Sequence, residues 1–331
     1  MTCRRSFVSL LAASAATWPL VLRSQPRIAE PHRIGLLSFG SPPGGPNPDP
    51  STGFLEGLRE LGYAEGRNLV IEARYADGRP DRLEALAGEL ARLNLALIVA
   101  GGPASVHAAR LATSTTPIVA IGMVDPVGQG WAQSLARPGG NLTGLTVTFP
   151  ELGPKLLEVL KEARPGLTRI AVLRATAELG PRDHSPVLLQ GARALGLELQ
   201  MLDINDPADL EPAFERATQQ HAQGMYAPAT NLVIANRRRI AELAQRARLP
   251  AISEFSLMAQ AGFLLSYGTD LVALSRRGAT FVDKILKGAP PGELPIELPA
   301  KFELVANLGA ARAIGITFPA VTLQRADRLI A

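Results

Sequence analysis

Short apolar runs alternate with amphipathic segments along the chain from residue 33 onward. The run at 33–38 predicts a buried strand, and the leucines on one face of 81–93 predict an amphipathic helix. Short loops separate these segments, and this kind of alternation is typical of a parallel sheet that helices cover on both faces. The pattern therefore predicts an α/β fold.

The same pattern predicts the other elements, which form two successive groups of alternating strands and helices. Strands are predicted at 33–38, 68–75, 95–100, 118–121, 142–148, 169–173, 197–202, 224–227, 250–252 and 262–266. Helices are predicted at 51–61, 81–93, 103–112, 127–136, 152–163, 184–195, 207–219, 231–247, 254–260 and 270–286. Residues 302–307 and a helix after them are predicted as the last crossing between lobes. The turn Pro138-Gly139-Gly140 separates the two groups.

A chain of 331 residues exceeds one average domain, so two lobes are expected. The alternation of strands and helices begins again after the Pro-Gly-Gly turn, which predicts a first boundary between the lobes near 146. A second crossing between the lobes is predicted at 266–268. The first lobe is then 33–145 plus about 269–300, and the second is 146–268 plus about 301–331. The predicted fold class is α/β, with two doubly wound parallel-sheet lobes joined by a hinge.

The first 24 residues predict an export signal peptide. Arg4-Arg5 precede an apolar segment at 7–22 that is short for a membrane span. This start is similar to a twin-arginine signal, and its basic character suits the general secretory route as well. The alternative is an uncleaved membrane anchor. Cys3, the single cysteine, precedes the apolar segment, so no lipid anchor is predicted.

Composition narrows the classes of function. An apolar content of 47% with 19% charged residues describes an ordinary globular protein. Only 5% of residues are aromatic, and removing Arg4, Arg5 and Arg23 with the leader lowers the net charge from +4 to about +1. No nucleic-acid partner is therefore expected.

The sequence also lacks the motifs of metal and hydrolase sites. The four histidines are scattered without metal-ligand spacing, and no serine-hydrolase or phosphate-loop motif is present. The sequence therefore predicts no cofactor, no metal and no catalytic residue.

Candidate ligand residues of the first lobe follow strand ends, because open α/β sheets bind ligands outside the carboxyl ends of their strands. They are Ser38, Gly40, Gly101, Gly102, Asp125, Pro126 and Thr146. Asp125 either accepts hydrogen bonds from an ammonium or hydroxyl group, or caps the predicted helix at Val127. The glycines either offer backbone N–H groups to a carboxylate or make simple turns.

Candidates of the second lobe follow the same rule. Arg174, Tyr226 and Glu254 each come after a predicted strand, and Tyr267 and Asp270 lie at the second predicted crossing. Arg174 either pairs with a solute carboxylate or is solvated. Tyr267 either faces the cleft or is a core tyrosine with a satisfied hydroxyl.

Four stretches of the chain resemble a known family. They are DPV at 125–127, SLARPGGNLTG at 134–144, GFLLSYGTD at 262–270 and KFELVANLGAARAIGI at 301–316. Together they resemble the ABC-transporter substrate-binding proteins related to the tryptophan/tyrosine-type binding proteins. The resemblance extends from about residue 34 to 331.

The resemblance implies the type I periplasmic-binding-protein fold and a binding function instead of an enzymatic one. It implies a small solute, such as an amino acid or another carboxylate, held between the lobes. It further implies a periplasmic location, a monomer, and delivery to a membrane permease with its cytoplasmic ATPase.

Two rival functions remain open at the level of sequence. One is an exported α/β enzyme that uses Asp125 or Glu254 as acid or base in the same cleft. The other is a ligand sensor that does not transport. A LacI-like repressor shares the fold class, but the chain begins with a leader where a helix-turn-helix would stand.

Overall fold

Two separate sheets organise the chain. The structure, a computed structural model, describes residues 31–42, 52–147, 152–176 and 185–331. The predicted export signal at 1–24 lies outside the described residues. Within the described ranges, no helix combines the length and the apolar character needed to cross a membrane.

The elements follow one another in the predicted alternation. The strands are β1 (His32–Ser38), β2 (Leu69–Tyr75), β3 (Leu97–Gly101), β4 (Ile118–Met123), β5 (Leu142–Thr146), β6 (Arg169–Ala175), β7 (Glu198–Ile204), β8 (Gly224–Tyr226), β9 (Ala251–Ser253), β10 (Leu265–Thr269), β11 (Phe302–Asn307) and β12 (Arg328–Ile330). The helices are α1 (Thr52–Glu60), α2 (Leu83–Ala91), α3 (Pro103–Ala112), α4 (Leu152–Ala163), α5 (Ser185–Ala194), α6 (Leu210–Gln219), α7 (Asn231–Ala235), α8 (Arg237–Arg246), α9 (Ser256–Gln260), α10 (Leu271–Leu286), α11 (Leu308–Ile314) and α12 (Ala320–Arg325).

The first sheet has the strand order β2-β1-β3-β4-β5, and all its neighbouring strands are parallel. Every residue of β4 is buried, as expected for a strand that is covered on both faces. Ile34 of β1 faces an apolar cluster that contains Phe54 of α1 and Phe281 of α10. Leu37 faces the opposite cluster, which contains Leu90 of α2 and residues of α3.

The second sheet has the order β12-β11-β10-β9-β8-β6-β7. Ile170 of β6 packs in a cluster with Leu156 of α4 and residues of α5. On the opposite face, Leu173 packs with Phe214 of α6 and Ile240 of α8. Each sheet thus carries helices on both faces, which confirms the predicted class of two doubly wound α/β lobes.

One strand pair departs from the predicted parallel arrangement. β10 and β11 are antiparallel, with Thr269 opposite Phe302. The chain leaves β10 at its carboxyl end, forms α10 against the first sheet and returns at the same edge. β11 therefore has to run in the opposite direction. The short elements α12 and β12 were not predicted, and β12 pairs in parallel with β11.

The chain passes between the two sheets three times, each time at the edge where the parallel strands have their carboxyl ends. It passes from β5 to α4, from β10 to α10, and from the segment before β11 into β11. Residues 266–268, predicted as a crossing, are part of β10 instead. The buried hydroxyl of Thr269 donates a hydrogen bond of 2.6 Å to the carbonyl of Val147, which links two of the crossings. The carboxyl ends of both sheets therefore lie beside the crossings.

The segment before the third crossing covers the edge of the first sheet. Glu297 N donates to Gly144 O at 2.9 Å, and Thr146 N donates to Glu297 O at 3.0 Å. The guanidinium of Arg277 on α10 holds both carboxylate oxygens of Glu297, at 2.8 and 2.7 Å. These bonds attach the crossing segment to β5 and α10.

We expect Glu297→Gln to lower the melting temperature near neutral pH and to have no effect in acid. The neighbouring Arg277 lowers the pKa of Glu297. The ion pair therefore stabilises the fold above the unfolded pKa of about 4.3, and its contribution is lost as the pH falls through the lowered folded pKa. Because the pair is partly exposed, thermal unfolding should show a shift of about 1–2 °C.

Glu242→Gln is the control for this measurement, because the Glu242 carboxylate contacts Arg239 at 3.3 Å and is 63% exposed. We expect no measurable shift for it. A loss of stability in Glu297→Gln that is equal at all pH values would contradict the electrostatic explanation.

Candidate functional site

Polar residues lie at the carboxyl ends of the first sheet, as the sequence predicts. Ser38 ends β1 and is fully buried, and its hydroxyl accepts a hydrogen bond of 3.0 Å from Gly40 N. The carbonyls of Ser38 and Gly40 accept hydrogen bonds from Ala76 N and Asp77 N, at 2.9 and 3.0 Å. Ser38 and Gly40 thus form a hydrogen-bonded turn that joins the ends of β1 and β2.

The N-terminus of α3 opens at the same edge. Gly101 ends β3, and Gly102 is the N-cap residue of α3 with a φ of 81°, a conformation that favours glycine. Gly102 N donates to Ile121 O of β4 at 2.8 Å. The chain therefore turns directly from β3 into α3, and the N–H groups of the first helical turn lie at the sheet edge.

The segment after β4 is a tight turn, so the helix predicted at 127–136 was wrong. Asp125 has a φ of 42°, and its Oδ1 accepts a hydrogen bond of 2.9 Å from Gly128 N. Trp131 N donates to Pro126 O at 2.8 Å, which closes the turn. The glycines disfavour a helix, and the Asp125 side chain offers the backbone a competing hydrogen bond.

Gly128 makes room for the Asp125 carboxylate. A Cβ atom at position 128 would lie 1.9 Å from Asp125 Oδ2. Pro126, between them in the turn, is buried. The turn therefore holds the Asp125 carboxylate beside the end of β4. A carboxylate that binds a ligand and one that caps the backbone would both occupy this position.

Three buried hydroxyl groups at this edge have no hydrogen-bond partner in the part of the chain that the structure describes. They belong to Ser41 after β1, to Ser105 in the first turn of α3, and to Thr146 at the end of β5. None of the three residues is more than 2% exposed. An unsatisfied buried hydroxyl costs about 1–3 kcal/mol. Such groups are therefore typical of a site that a polar ligand completes.

Thr146 is among the predicted ligand residues, whereas Ser41 and Ser105 are not. The signal that could have found them is a hydroxyl residue just beyond a strand end or in the first turn of the following helix. Such residues lie at the ligand edge of a parallel sheet.

Arg174 is paired within the second sheet. Its guanidinium donates to both carboxylate oxygens of Asp203, at 2.6 and 3.0 Å. The two residues are partners in the register of β6 and β7. This bidentate pair sets the position of the guanidinium.

Tyr226 and Glu254 meet at the ends of β8 and β9. They are 5% and 7% exposed, and the Tyr226 hydroxyl donates to Glu254 Oε1 at 2.6 Å. Ala229 N donates to Glu254 Oε2 at 2.8 Å. Burial raises the pKa of Glu254, and burial together with the nearby Glu254 carboxyl raises the pKa of Tyr226 well above its usual range.

Tyr267 belongs to a strand, and Asp270 caps a helix. The Tyr267 ring lies in β10 and stacks on the Phe302 ring, with 6.0 Å between the centroids. Asp270 Oδ1 accepts hydrogen bonds from Val272 N at 3.1 Å and Ala273 N at 3.0 Å, so it is the N-cap of α10.

Apolar residues of the second lobe reach the core of the first lobe. Phe255 is 6% exposed and belongs to the cluster that contains Val147 and Leu274. Ile234 and Leu257 pack against the same cluster. The sequence does not predict these contacts, because an apolar residue after a strand has the same pattern whether it packs within its own lobe or against the other lobe.

The described segments contain no group of three or more His, Cys, Asp or Glu residues that could hold a metal ion. The arrangement at the two sheet edges offers hydrogen-bond donors, hydroxyls and apolar surface. These are the groups that bind a small polar solute.

A family model for ABC transporter substrate binding proteins matches residues 48–330. A tyrosine-binding protein from Clostridioides difficile is 25% identical over 262 residues, which are 79% of this chain and 75% of that protein.

Solved structures show the same fold. A conserved domain protein from Vibrio cholerae is 26% identical, with a TM-score of 0.82 over 91% of this chain and all of that chain (100%). A protein from Streptococcus pneumonia, described as an ABC domain in complex with L-Trp, is 22% identical with a TM-score of 0.80 and the same coverage of 91% and 100%.

We expect Gly128→Ala to destabilise the protein through its clash with the Asp125 carboxylate. Overpacking of this kind costs about 1–3 kcal/mol in the free energy of unfolding. In the Asp125→Ala background the clash is absent, so Gly128→Ala should cost much less there. Urea unfolding of both single variants and the double variant measures this coupling.

Gly130→Ala is the control, because a Cβ at position 130 meets no atom within 4 Å. Its cost of about 1–2 kcal/mol, which comes from the positive φ alone, should be the same with and without Asp125. Strictly additive costs for Gly128→Ala and Asp125→Ala would contradict the proposed contact.

Proposed function

We propose that this chain, which belongs to the ABC transporter substrate-binding protein family, is the exported solute-binding component of an importer. The family match over 48–330 confirms the resemblance of its motifs, and its fold is that of the type I periplasmic binding proteins. The chain captures a small solute between the carboxyl edges of its two sheets. It then delivers the solute to a membrane permease that a cytoplasmic ATPase drives.

The proposed solute is an amino acid. Two similar proteins support this class: one is named for tyrosine binding, and the other is described in complex with L-Trp. An amino acid carries a carboxylate, an ammonium group and a variable side chain. The edges described above offer a counterpart for each of these groups.

The observation that carries the proposal is the set of buried hydroxyls at the first-lobe edge. Ser41, Ser105 and Thr146 have hydroxyls without a protein partner within the described ranges, and the N-terminus of α3 lies among the same strand ends. Hydroxyls and helix N-terminal N–H groups are good donors to a carboxylate. Asp125 is the proposed acceptor for the ammonium group.

Closure of the two lobes is the proposed binding mechanism. The three crossings serve as the hinge, and Phe255 and Ile234 pack across to the first lobe. A solute that contacts both edges stabilises the closed arrangement over an open one by its additional contacts. The permease distinguishes the closed form from the open one.

The proposed location is the periplasm, with the chain acting as a monomer. The support is the basic start and the apolar segment of the leader at 1–24. Transport also fits this location, because the permease meets its binding protein on the outer side of the membrane.

We expect isothermal titration of the mature protein with the twenty common amino acids to show one-to-one binding of at least one of them. A micromolar dissociation constant corresponds to about −8 kcal/mol. Absence of heat across the whole panel, in a protein whose thermal unfolding is cooperative, would contradict the amino-acid proposal.

Ser105→Ala should weaken the binding that the panel detects by about 10- to 100-fold, because a hydrogen bond to a charged group contributes about 1.5–3 kcal/mol. Thr322→Val is the matched control. It also removes a buried hydroxyl that has no partner among the described residues, but Thr322 lies in α12. Equal affinities for Ser105→Ala and the wild type would contradict the role given to this hydroxyl.

A further inference from the structure

The backbone of Phe255 belongs to one lobe and its side chain packs in the other. The residue follows β9 of the second sheet, and its carbonyl accepts a hydrogen bond of 2.8 Å from Met258 N of α9. Its ring belongs to the apolar cluster of the first lobe, together with Val147 after β5 and Leu274 of α10. The residue is 6% exposed. Residues of the first lobe and of the first crossing therefore enclose a side chain that the second lobe supplies.

Three partly buried residues of the second lobe pack against the same first-lobe cluster, namely Ala229, Ile234 of α7 and Leu257 of α9. Ile234 and Leu257 also pack against the second-lobe cluster that contains residues of α6 and α8. The apolar cores of the two lobes are thus continuous at this place. We call Phe255 and these three residues the interlobe contact.

The backbone next to Phe255 is held within the second lobe. Glu254 O lies so close to Gly268 of β10 that a Cβ atom at position 268 would be 2.2 Å from it. The two carboxylate oxygens of Glu254 accept hydrogen bonds from the Tyr226 hydroxyl at 2.6 Å and from Ala229 N at 2.8 Å. Phe255 and Ala229 therefore have fixed positions in their own lobe, and they meet the first lobe as one preformed apolar surface.

The interlobe contact lies beside the proposed solute site. Val147 directly follows Thr146, and Val124, which packs against the same cluster, directly precedes Asp125. The ring of Phe255 is buried among protein side chains, so almost none of its surface is available to a solute. Its contribution to binding is therefore made through the arrangement of the lobes.

Burial of apolar surface between the lobes favours the closed arrangement whether or not a solute is bound. A phenylalanine side chain has a larger apolar area than an alanine, isoleucine or leucine side chain, so Phe255 contributes most to the interlobe contact. A solute that binds only the closed arrangement has an apparent affinity that is proportional to the closed fraction of the free protein. A change at Phe255 should therefore alter the affinity for all solutes alike.

We propose that Phe255 is a positioning residue for solute binding: through the interlobe contact it keeps the closed arrangement populated before the solute binds, and it sets affinity without touching the solute. This inference rests on the proposed function and adds to it a residue that controls affinity from outside the solute site.

Phe255→Ala should weaken the binding of L-tryptophan and L-tyrosine by the same factor, about 10- to 100-fold, which corresponds to the burial of one phenylalanine side chain. Isothermal titration measures both affinities. Phe214→Ala is the matched control, because Phe214 is 4% exposed and packs in the core of its own lobe. It should lower the melting temperature and leave both affinities within about threefold of the wild type. An unequal loss for the two amino acids, or the same loss in Phe214→Ala, would overturn the proposal.

Phe255→Leu and Phe214→Leu are the milder pair, for use if an alanine variant does not fold. Leucine keeps part of the buried apolar surface, so Phe255→Leu should lose about threefold in affinity for both amino acids and Phe214→Leu should lose none. Wild-type affinity in Phe255→Leu would then overturn the proposal.

Small-angle X-ray scattering without solute keeps this inference separate from the proposed function. The radius of gyration should be larger in Phe255→Ala than in the wild type and unchanged in folded Phe214→Ala, a difference that lost stability alone does not produce. If neither amino acid binds the wild type but Phe255→Ala alone is expanded, the solute assignment fails and the role of Phe255 stands. If Phe255→Ala and the wild type have equal radii of gyration, the positioning proposal fails whatever the titrations show.

Discussion

The hydrogen bond from the Thr269 hydroxyl to the Val147 carbonyl joins two chain crossings in the interior of the protein. Val147 follows the last residue of β5, and Thr269 is the last residue of β10, so this contact brings the carboxyl edges of the two sheets to one place. The antiparallel pairing of β10 with β11 follows from the same constraint. A chain that leaves a sheet and returns at one edge has to reverse its direction.

The polar groups at the two sheet edges differ in their hydrogen bonding. At the first-lobe edge, Ser41 and Ser105 have buried hydroxyls without partners in the described segments, and they lie near the N-terminus of α3. At the second-lobe edge, Glu254 has both carboxyl oxygens bonded within the lobe. Unsatisfied donors favour an incoming anion, whereas a satisfied network makes a surface rigid. In the proposed site, the first-lobe edge therefore offers hydroxyls without partners among the described residues, and the Glu254 network offers a rigid surface.

Close backbone approaches hold these edges in shape. Gly128 leaves space for the Asp125 carboxylate, and Gly268 lets β10 pass close to the backbone of Glu254. Because neither site has space for a Cβ without movement of a neighbour, each glycine is a steric requirement of its edge. The apolar contact of Phe255 with the first-lobe cluster then adds surface that is buried between the lobes.

The sequence by itself determined the local elements and the family. The bounds of α3 and α4 agree with the predictions, because the spacing of their apolar residues and a proline in the first turn of α3 are local properties. The helix predicted at 127–136 failed, because a side-chain bond from Asp125 competes with the helical pattern. Tertiary structure alone decided that Glu254 meets Tyr226 and that the hydroxyls of Ser41 and Ser105 have no hydrogen-bond partner among the described residues. These facts depend on which strands become neighbours, and strand order is a long-range property that no local pattern of residues carries.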